Sequence, residues 1–154
     1  MTEIICFDFD GVLHAYTTPW EAAHIIPDGC IPGSIEALLE YSKSFRIAIF
    51  SARSNQLDGI PSMQTWLKKQ LISWIKDTQS VKDTIRKYEL ANYKPESDNE
   101  LFELDNWASN IIRKIEWPVT KLPSKLYIDD NGFRFTGRWP SVKEINNMES
   151  WVTN

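Results

Sequence analysis

The chain has few of the side chains that bind soft metal ions or form disulfides. Among its 154 residues are two cysteines and two histidines. Cys6 lies in an apolar run and Cys30 in a loop rich in proline and glycine, and neither belongs to a C-x-x-C pair. The pattern argues against a zinc site and against a disulfide framework.

The sequence also lacks an excess of positive charge and long apolar runs. Its formal net charge is -4 and its pI is about 5.2, whereas proteins that bind nucleic acid or acidic membranes usually have a basic surface. No apolar run approaches the roughly 20 residues that cross a bilayer, and the N-terminus has no signal-peptide pattern. We therefore expect a cytoplasmic protein with no membrane partner and no stable nucleic-acid partner.

What the sequence does have is enough apolar material for one hydrophobic core. Hydrophobic residues make up 42% of the chain, and a chain of this length usually folds around one core. We expect a single domain over residues 1–154. The segment from Ser54 to Thr120 is longer than one crossover helix needs. A small helical elaboration is therefore expected around residues 55–116, which would be able to lean over the site as a cap.

Short apolar runs predict the strands of a parallel sheet. The run 4–9 should be a buried, central strand, and the runs 47–50 and 126–128 should be further strands. Between the first two, apolar residues at helical spacing predict a helix over about 34–44, with Ser34 as its cap. Strand, helix and strand in this order favour a right-handed, parallel β-α-β unit, and hence an α/β fold.

Other patterns predict further helices and a turn. Apolar stripes at helical spacing cover 63–75 and, more briefly, 81–88, on either side of a turn at 77–80. Capping-box sequences at 97–100 and 141–144 open two more helices, the first of which runs to Ile115. Asn131-Gly132 supplies turn chemistry before an alternating Phe-Arg-Phe sequence.

Polar side chains follow each of the three predicted strands. In an open parallel sheet these strand ends meet at one edge, so the side chains should converge although they are far apart in sequence. Clustered carboxylates repel one another unless a cation lies between them, and oxygen ligands without His or Cys favour a hard ion such as Mg²⁺. The side chains concerned are Asp8 and Asp10, then Ser51 and Arg53, then Asp129 and Asp130.

The pair Asp8-x-Asp10 suits phosphoryl transfer, because alternate side chains of a strand leave on the same face. One carboxylate can attack phosphorus and form an aspartyl-phosphate, while the other protonates the leaving oxygen and then deprotonates water. The phosphoryl oxygens need hydrogen-bond donors. Ser51, a lysine and the backbone N–H groups that begin at Gly11 are the candidates.

Three of these segments resemble motifs of the haloacid dehalogenase-like (HAD) hydrolase superfamily, and a lysine segment resembles a fourth. The resemblance extends from Ile4 to about Gly137 and implies a Rossmann-like, three-layer α/β/α fold with a central, mainly parallel sheet. It is closest in type to small phage and bacterial members with little or no cap. The matching stretches are DFDGVL from Asp8, IAIFS ending at Ser51, YIDD ending at Asp130, and KLPSKLYIDD from Lys121.

The resemblance implies a role for each matching residue. Asp8 would be the nucleophile and a magnesium ligand, and Asp10 the general acid/base, with its backbone carbonyl on the metal. Ser51 would bind the phosphoryl group, Lys121 would neutralise it, and Asp129 would complete the metal site. A further acidic residue, Asp130, would bind the metal through water or hold the metal ligands in position.

Two assignments rest on weaker matches. Leu122 occupies a position where the small-member pattern has proline, and Lys125 lies close enough to compete with Lys121 for the lysine role. Ser51-Ala52-Arg53 also resembles the S-G-R stretch of phosphatase domains that act on polynucleotide ends, in which the arginine holds substrate.

The sequence therefore predicts a magnesium-dependent phosphomonoesterase. Its substrate would be a small phosphorylated metabolite, a nucleotide or a phosphorylated nucleic acid end, with Gly11 and Arg53 among the substrate-binding residues. The alternatives are a non-catalytic regulatory protein that keeps the fold and a receiver-like phosphate-binding module. A receiver has its phospho-accepting Asp on a middle strand, whereas here that strand ends in Ser51.

Overall fold

The computed structural model describes residues 2–77 and 100–149. Within them, three parallel strands form one sheet in the order β2-β1-β3. Strand β1 is Ile4–Phe7, β2 is Arg46–Ile49 and β3 is Leu126–Ile128. In register, Cys6 of β1 lies between Ala48 of β2 and Tyr127 of β3. The predictions of a central first strand and of a parallel β-α-β unit are confirmed.

Helix α1 (Ser34–Ser42) covers the sheet face that carries the odd-numbered side chains of β1. Ile35, Leu38 and Leu39 recur at helical spacing and are buried in the core with Phe7. The predicted Ser34 cap is wrong. Gly33 is the N-cap, no side chain bonds there, and the Ser34 hydroxyl has no hydrogen-bond partner among the described residues.

Helices α2 (Gly59–Asp77) and α3 (Glu100–Lys114) pack against each other. The predicted apolar stripe of α2 is confirmed, and its buried members belong to the same core as β1. The described part of the segment 55–116 thus contributes to the main core. The buried members of this stripe are Met63, Trp66, Leu67, Leu71 and Ile75.

Beyond α3 the chain extends the sheet by one residue. The Glu116 N–H donates to the Ile47 carbonyl at 2.9 Å, and the Ile49 N–H donates to the Glu116 carbonyl at 2.9 Å. Asp77 is the last residue of α2 rather than the start of a turn. The rest of that turn, the stripe 81–88 and the cap residue Ser97 lie outside the described residues.

The C-terminal part of the described chain is largely exposed. After β3, the segment that follows Asn131-Gly132 is irregular rather than a strand. Helix α4 (Val142–Asn146) begins with the predicted capping box between Ser141 and Glu144, and none of its residues is buried. In the described ranges, no helix has both the length and the apolar character that crossing a bilayer requires.

Candidate functional site

The carboxyl ends of the three strands meet at one edge of the sheet. The strand ladder continues one residue past β1, because the Asp8 N–H donates to the Ile128 carbonyl at 2.8 Å and the Phe50 N–H donates to the Phe7 carbonyl at 3.0 Å. Asp8 therefore lies at the same edge as the residues that follow Phe50 and Ile128. This is the convergence that the strand pattern predicts.

Asp8, Asp129 and Asp130 form an acidic cluster at this edge. One carboxylate oxygen from each lies within 4.8 Å of the others. Opposite oxygen ligands of Mg²⁺ are about 4.2 Å apart and those of Ca²⁺ about 5 Å apart. The donor set and its spacing therefore fit a hard divalent cation bound by three carboxylates.

The electrostatic environment of Asp8 is unfavourable without such a cation. Burial raises the pKa of its carboxyl, and the neighbouring charges of Asp129 and Asp130 raise it further, to about 7. A hydrogen bond from the Phe9 N–H, 2.7 Å from Asp8 Oδ1, acts in the opposite direction. A divalent cation would favour the ionised carboxylate, which is the form that can attack phosphorus.

Gly11 allows Asp130 to approach the loop. Its φ is +80°, and a Cβ atom on Gly11 would lie 2.8 Å from Asp130 Cγ. The Gly11 N–H donates to the His14 carbonyl at 2.8 Å, and the Val12 N–H donates to the Phe9 carbonyl at 3.3 Å. The turn thus uses the Gly11 N–H, and the substrate-binding role of Gly11 stays a prediction.

Asp10 lies apart from the acidic cluster and is bound by two basic side chains. Arg53 Nε donates to Asp10 Oδ2 at 2.9 Å and Arg53 Nη2 to Oδ1 at 3.0 Å. His14 Nδ1 lies 2.8 Å from Oδ1. Burial alone would raise the pKa of Asp10, but the bonds from His14 and Arg53 outweigh it and lower the pKa. Its carboxylate is not among the metal-ligand oxygens that the structure brings together.

Arg53 is buried and bonded to groups inside the protein, and its substrate-binding role stays a prediction. Its side chain is 1% exposed. Besides the two bonds to Asp10, its Nη1 donates to three backbone carbonyls of one loop, at 2.9 to 3.1 Å. These bonds involve the Nε, Nη1 and Nη2 atoms of an enclosed guanidinium. The three carbonyls belong to Ala22, Ala23 and Ile25.

His14 belongs to the same buried network, which sequence reasoning missed. The Asp28 N–H donates to His14 Nε2 at 3.1 Å, so Nε2 is an acceptor and Nδ1 carries the proton donated to Asp10. Trp66 Nε1 donates to the Asp28 carbonyl at 2.9 Å. The one sequence signal was the spacing of His14 four residues after Asp10, in a loop where no periodicity fixes geometry.

Ser51 is buried at the end of β2 and shapes a tight turn. Its hydroxyl accepts from the Arg53 N–H at 3.2 Å, and its own N–H donates to Ser54 Oγ at 2.9 Å. The turn directs Arg53 inward towards Asp10. Ser51 keeps its hydroxyl proton for a further acceptor, since the bond to Arg53 uses only an oxygen lone pair.

The position of Lys121 suits the lysine role better than that of Lys125. Lys121 and Asp8 both act on the Cys6 thiol, whose pKa burial raises to about 11 while Lys121 lowers it. Lys125 pairs with Glu3 at 2.9 Å, and its N–H donates to the Ile4 carbonyl at the opposite end of β1. Both lysines line the cavity that Asp8 lines, so the choice of Lys121 stays a prediction, which the pairing of Lys125 with Glu3 supports.

A cavity of about 740 Å³ opens beside the acidic cluster. Asp8 and Asp129 line one part of it, and Lys121 lines another. The Lys121 ammonium lies 4.6 Å from the centre of the Tyr127 ring, which also lines the cavity. Carboxylates and a cation thus face one space that is large enough for a small molecule.

Comparison with known proteins gives one distant likeness. No protein-family model matches the chain, and no solved structure matches it. The chain is similar to the sulfopyruvate decarboxylase subunit alpha of Methanocaldococcus jannaschii, with 27% identity over 113 residues. The matched region covers 73% of this chain and 62% of that protein, which is less than two thirds of its length. At this identity, the likeness does not establish a shared family.

Proposed function

We propose that this protein is a magnesium-dependent phosphomonoesterase of the HAD-like type, with Asp8 as its nucleophile. One observation carries the proposal: carboxylate oxygens of Asp8, Asp129 and Asp130 lie within 4.8 Å of one another at a cavity that Lys121 also lines. Acidic residues at the ends of parallel strands, joined by a cation-bearing side chain, suit the binding and transfer of a phosphoryl group.

The reaction has two steps at Asp8. A carboxylate oxygen of Asp8 bonds to phosphorus while the bond from phosphorus to the leaving oxygen breaks, and that oxygen takes up a proton from solvent water. Water then attacks phosphorus, its proton is removed, and the bond from phosphorus to Asp8 breaks, which regenerates the carboxylate. Mg²⁺, when bound, offsets the negative charge of the cluster and of the phosphoryl oxygens. Lys121 adds positive charge from the same cavity.

Asp10 can take only one of the two proton-transfer roles in this reaction without first gaining a proton. Its pKa is lowered by His14 and Arg53, so its carboxylate is ionised near neutral pH. In that state Asp10 can accept a proton from the attacking water. Donation of a proton to the leaving oxygen, the role implied by the family resemblance, requires Asp10 first to gain one. In the described arrangement, its main contribution is to hold the loop after β1 in place.

Phosphate release from 4-nitrophenyl phosphate tests the proposal. We expect release with Mg²⁺, none with a chelator, and weaker release with Ca²⁺, whose longer bonds and looser geometry hold the reacting groups less closely. Asp8→Asn should lose activity by about a thousand-fold or more. Asp105→Asn is the matched control, because Asp105 is an exposed aspartate on α3 that pairs with Lys68.

The assay also separates the competing functions. A non-catalytic regulatory protein would release no phosphate from any substrate, and a receiver-like module would retain a stable phosphoryl group after treatment with acetyl phosphate. Activity towards sulfopyruvate, the substrate in the name of the similar decarboxylase subunit, can be measured in parallel as carbon dioxide release. Full phosphatase activity in Asp8→Asn would refute the nucleophile assignment.

A further inference from the structure

The cavity beside the acidic cluster is larger than a phosphoryl group requires. Its volume is about 740 Å³, which lies in the usual range of about 300–1,000 Å³ for sites that bind whole small molecules. The part lined by Asp8 and Asp129 suffices for the phosphoryl group. The remaining wall, which runs along β3 to Arg134, is available for the body of the substrate.

This remaining wall is rich in aromatic rings. Phe50, Tyr127 and Phe133 all line the cavity, and Phe133 is 41% exposed. A partly exposed phenylalanine at a cavity wall gives a planar group a surface on which to stack, and its apolar area becomes buried when that group binds. The wall therefore favours a substrate body that contains a flat ring.

Arg134 adds a cation next to this aromatic wall. Within residues 2–77 and 100–149, no ion pair or hydrogen bond holds its side chain, whereas Lys125 in the same wall is neutralised by Glu3. A guanidinium beside an aromatic ring can stack on a nucleobase and can donate to its ring nitrogen and carbonyl acceptors. A sugar phosphate or an alkyl phosphate has no group that uses both features.

We propose that Phe133 and Arg134 form a nucleobase-binding subsite, so that the substrate is a nucleotide phosphomonoester. This inference rests on the proposed phosphatase function. The phosphate lies at Asp8, the base stacks on Phe133, and the guanidinium of Arg134 contacts the base. The subsite does not involve Arg53, which is enclosed and bound to Asp10. Phe133 and Arg134 are thus specificity-determining residues.

Specificity constants for four substrates test the subsite. The panel is adenosine 5′-monophosphate, adenosine 3′-monophosphate, glucose 6-phosphate and phosphotyrosine. We expect kcat/KM for at least one nucleotide to exceed those of both other phosphates by about 10-fold or more, the size of effect that one base-stacking contact gives. Phe133→Leu, which keeps apolar volume without a ring, should remove most of this preference by lowering kcat/KM for the nucleotide.

Two matched variants control for general effects of the exposed segment. Phe135→Leu removes a second exposed phenylalanine, whose ring lies 4.8 Å from that of Trp139 and does not line the cavity. Arg138→Gln removes an arginine that pairs with Glu144. Both should keep the nucleotide preference, whereas Arg134→Gln should reduce it and Arg134→Lys should restore part of it. Thermal unfolding of each variant checks that the fold is retained.

The outcomes separate this inference from the proposed function. Phosphate release without any nucleotide preference, or with a preference that Phe133→Leu leaves intact, overturns the subsite but not the phosphatase. A preference for phosphotyrosine over both nucleotides also overturns it. If no substrate releases phosphate, the phosphatase proposal fails, and calorimetric titration with adenosine 5′-monophosphate decides the subsite. Binding that weakens in Phe133→Leu then supports it, and absence of binding overturns it.

Discussion

Asp8 and Asp10 are two residues apart, yet the structure gives their carboxylates opposite environments. Burial, together with the neighbouring charges of Asp129 and Asp130, raises the pKa of Asp8 to about 7. Asp10 lies between Arg53 and His14, and its pKa is lowered. The acidic cluster of Asp8, Asp129 and Asp130 therefore costs the folded protein stability unless a cation binds, whereas the network of Asp10, Arg53 and His14 supports the fold.

The acidic cluster and the buried network of Asp10 therefore suit different roles. A strained carboxylate is suited to bind a cation and to react, and strain of this kind concentrates at functional sites. A carboxylate whose two oxygens accept charge-assisted hydrogen bonds is suited to fix geometry. The second region thus holds the loop that presents the first, and each of the following variants affects one region more than the other.

The largest effect on stability should come from breaking the buried ion pair of Asp10 and Arg53. Asp10→Asn leaves the guanidinium of Arg53, which is 1% exposed, without its counter-ion, so the free energy of unfolding should fall by about 3–5 kcal/mol. Urea denaturation measures the change. Arg53→Gln combined with Asp10→Asn should cost less than the sum of the two single variants, and strict additivity would show that the pair does not interact.

A substitution two residues earlier should change stability in the opposite direction. Asp8→Asn removes one of three clustered negative charges, so in a chelator the free energy of unfolding should rise by about 1–2 kcal/mol. The same variant should lose phosphatase activity. Urea denaturation alongside Asp105→Asn gives the comparison. A clear loss of stability in Asp8→Asn would show that Asp8 is not under electrostatic strain.

Gly11→Ala should destabilise the loop between the two regions. The positive φ of Gly11 costs any other residue about 1 kcal/mol, and contact between the new Cβ and Asp130 adds to this cost. Gly33→Ala is a matched control, because Gly33 has a φ of +84° but no atom within 4 Å of a Cβ. Only Gly11→Ala should also weaken Mg²⁺ binding in calorimetry. Equal effects of the two variants on Mg²⁺ binding would contradict a special role for Gly11.

The two regions should also differ in the sign of their pH dependence. The raised pKa of Asp8 means that the folded state holds a proton that the unfolded state has lost, so in a chelator its contribution to stability falls as pH rises from about 4 to about 7. The lowered pKa of Asp10 gives stability that is present above about pH 4 and is lost below it.

Urea denaturation from pH 4 to pH 8 measures this dependence. The difference between Asp8→Asn and the unsubstituted protein should grow in favour of the variant as pH rises through the upper window, and Mg²⁺ should remove it. A difference that stays constant over that window would contradict the assigned environment of Asp8.

The sequence allowed the acidic cluster to be predicted better than the buried network. Apolar runs define β1 and β3, and parallel strands bring their carboxyl ends together, so the meeting of Asp8 with Asp129 follows from topology. The bonds of Arg53 depend instead on the path of the loop that contains Ala22 and Ile25, and no periodic pattern specifies that path. The sequence therefore does not reveal the buried position of Arg53.

Some local details of the fold also could not be predicted from the sequence. Ser34 has the residue type of a helix cap, but the helix begins at Ser34 itself, one residue earlier than a Ser34 cap requires, and Gly33 is the N-cap in the left-handed conformation. The alternation from Phe133 to Phe135 resembles a strand, but the described chain provides no neighbouring strand with which it pairs. Residue type and the spacing of apolar residues predicted the correct helix or strand only where tertiary contacts favoured the same structure.

The most direct test of the central claim is whether Mg²⁺ binding depends on the acidic cluster and not on Asp10. Calorimetric titration with Mg²⁺ should show binding to the unsubstituted protein, little or no binding to Asp129→Asn, and binding to Asp10→Asn wherever that variant remains folded. Retained binding in Asp129→Asn, or its absence in the unsubstituted protein, would contradict the account.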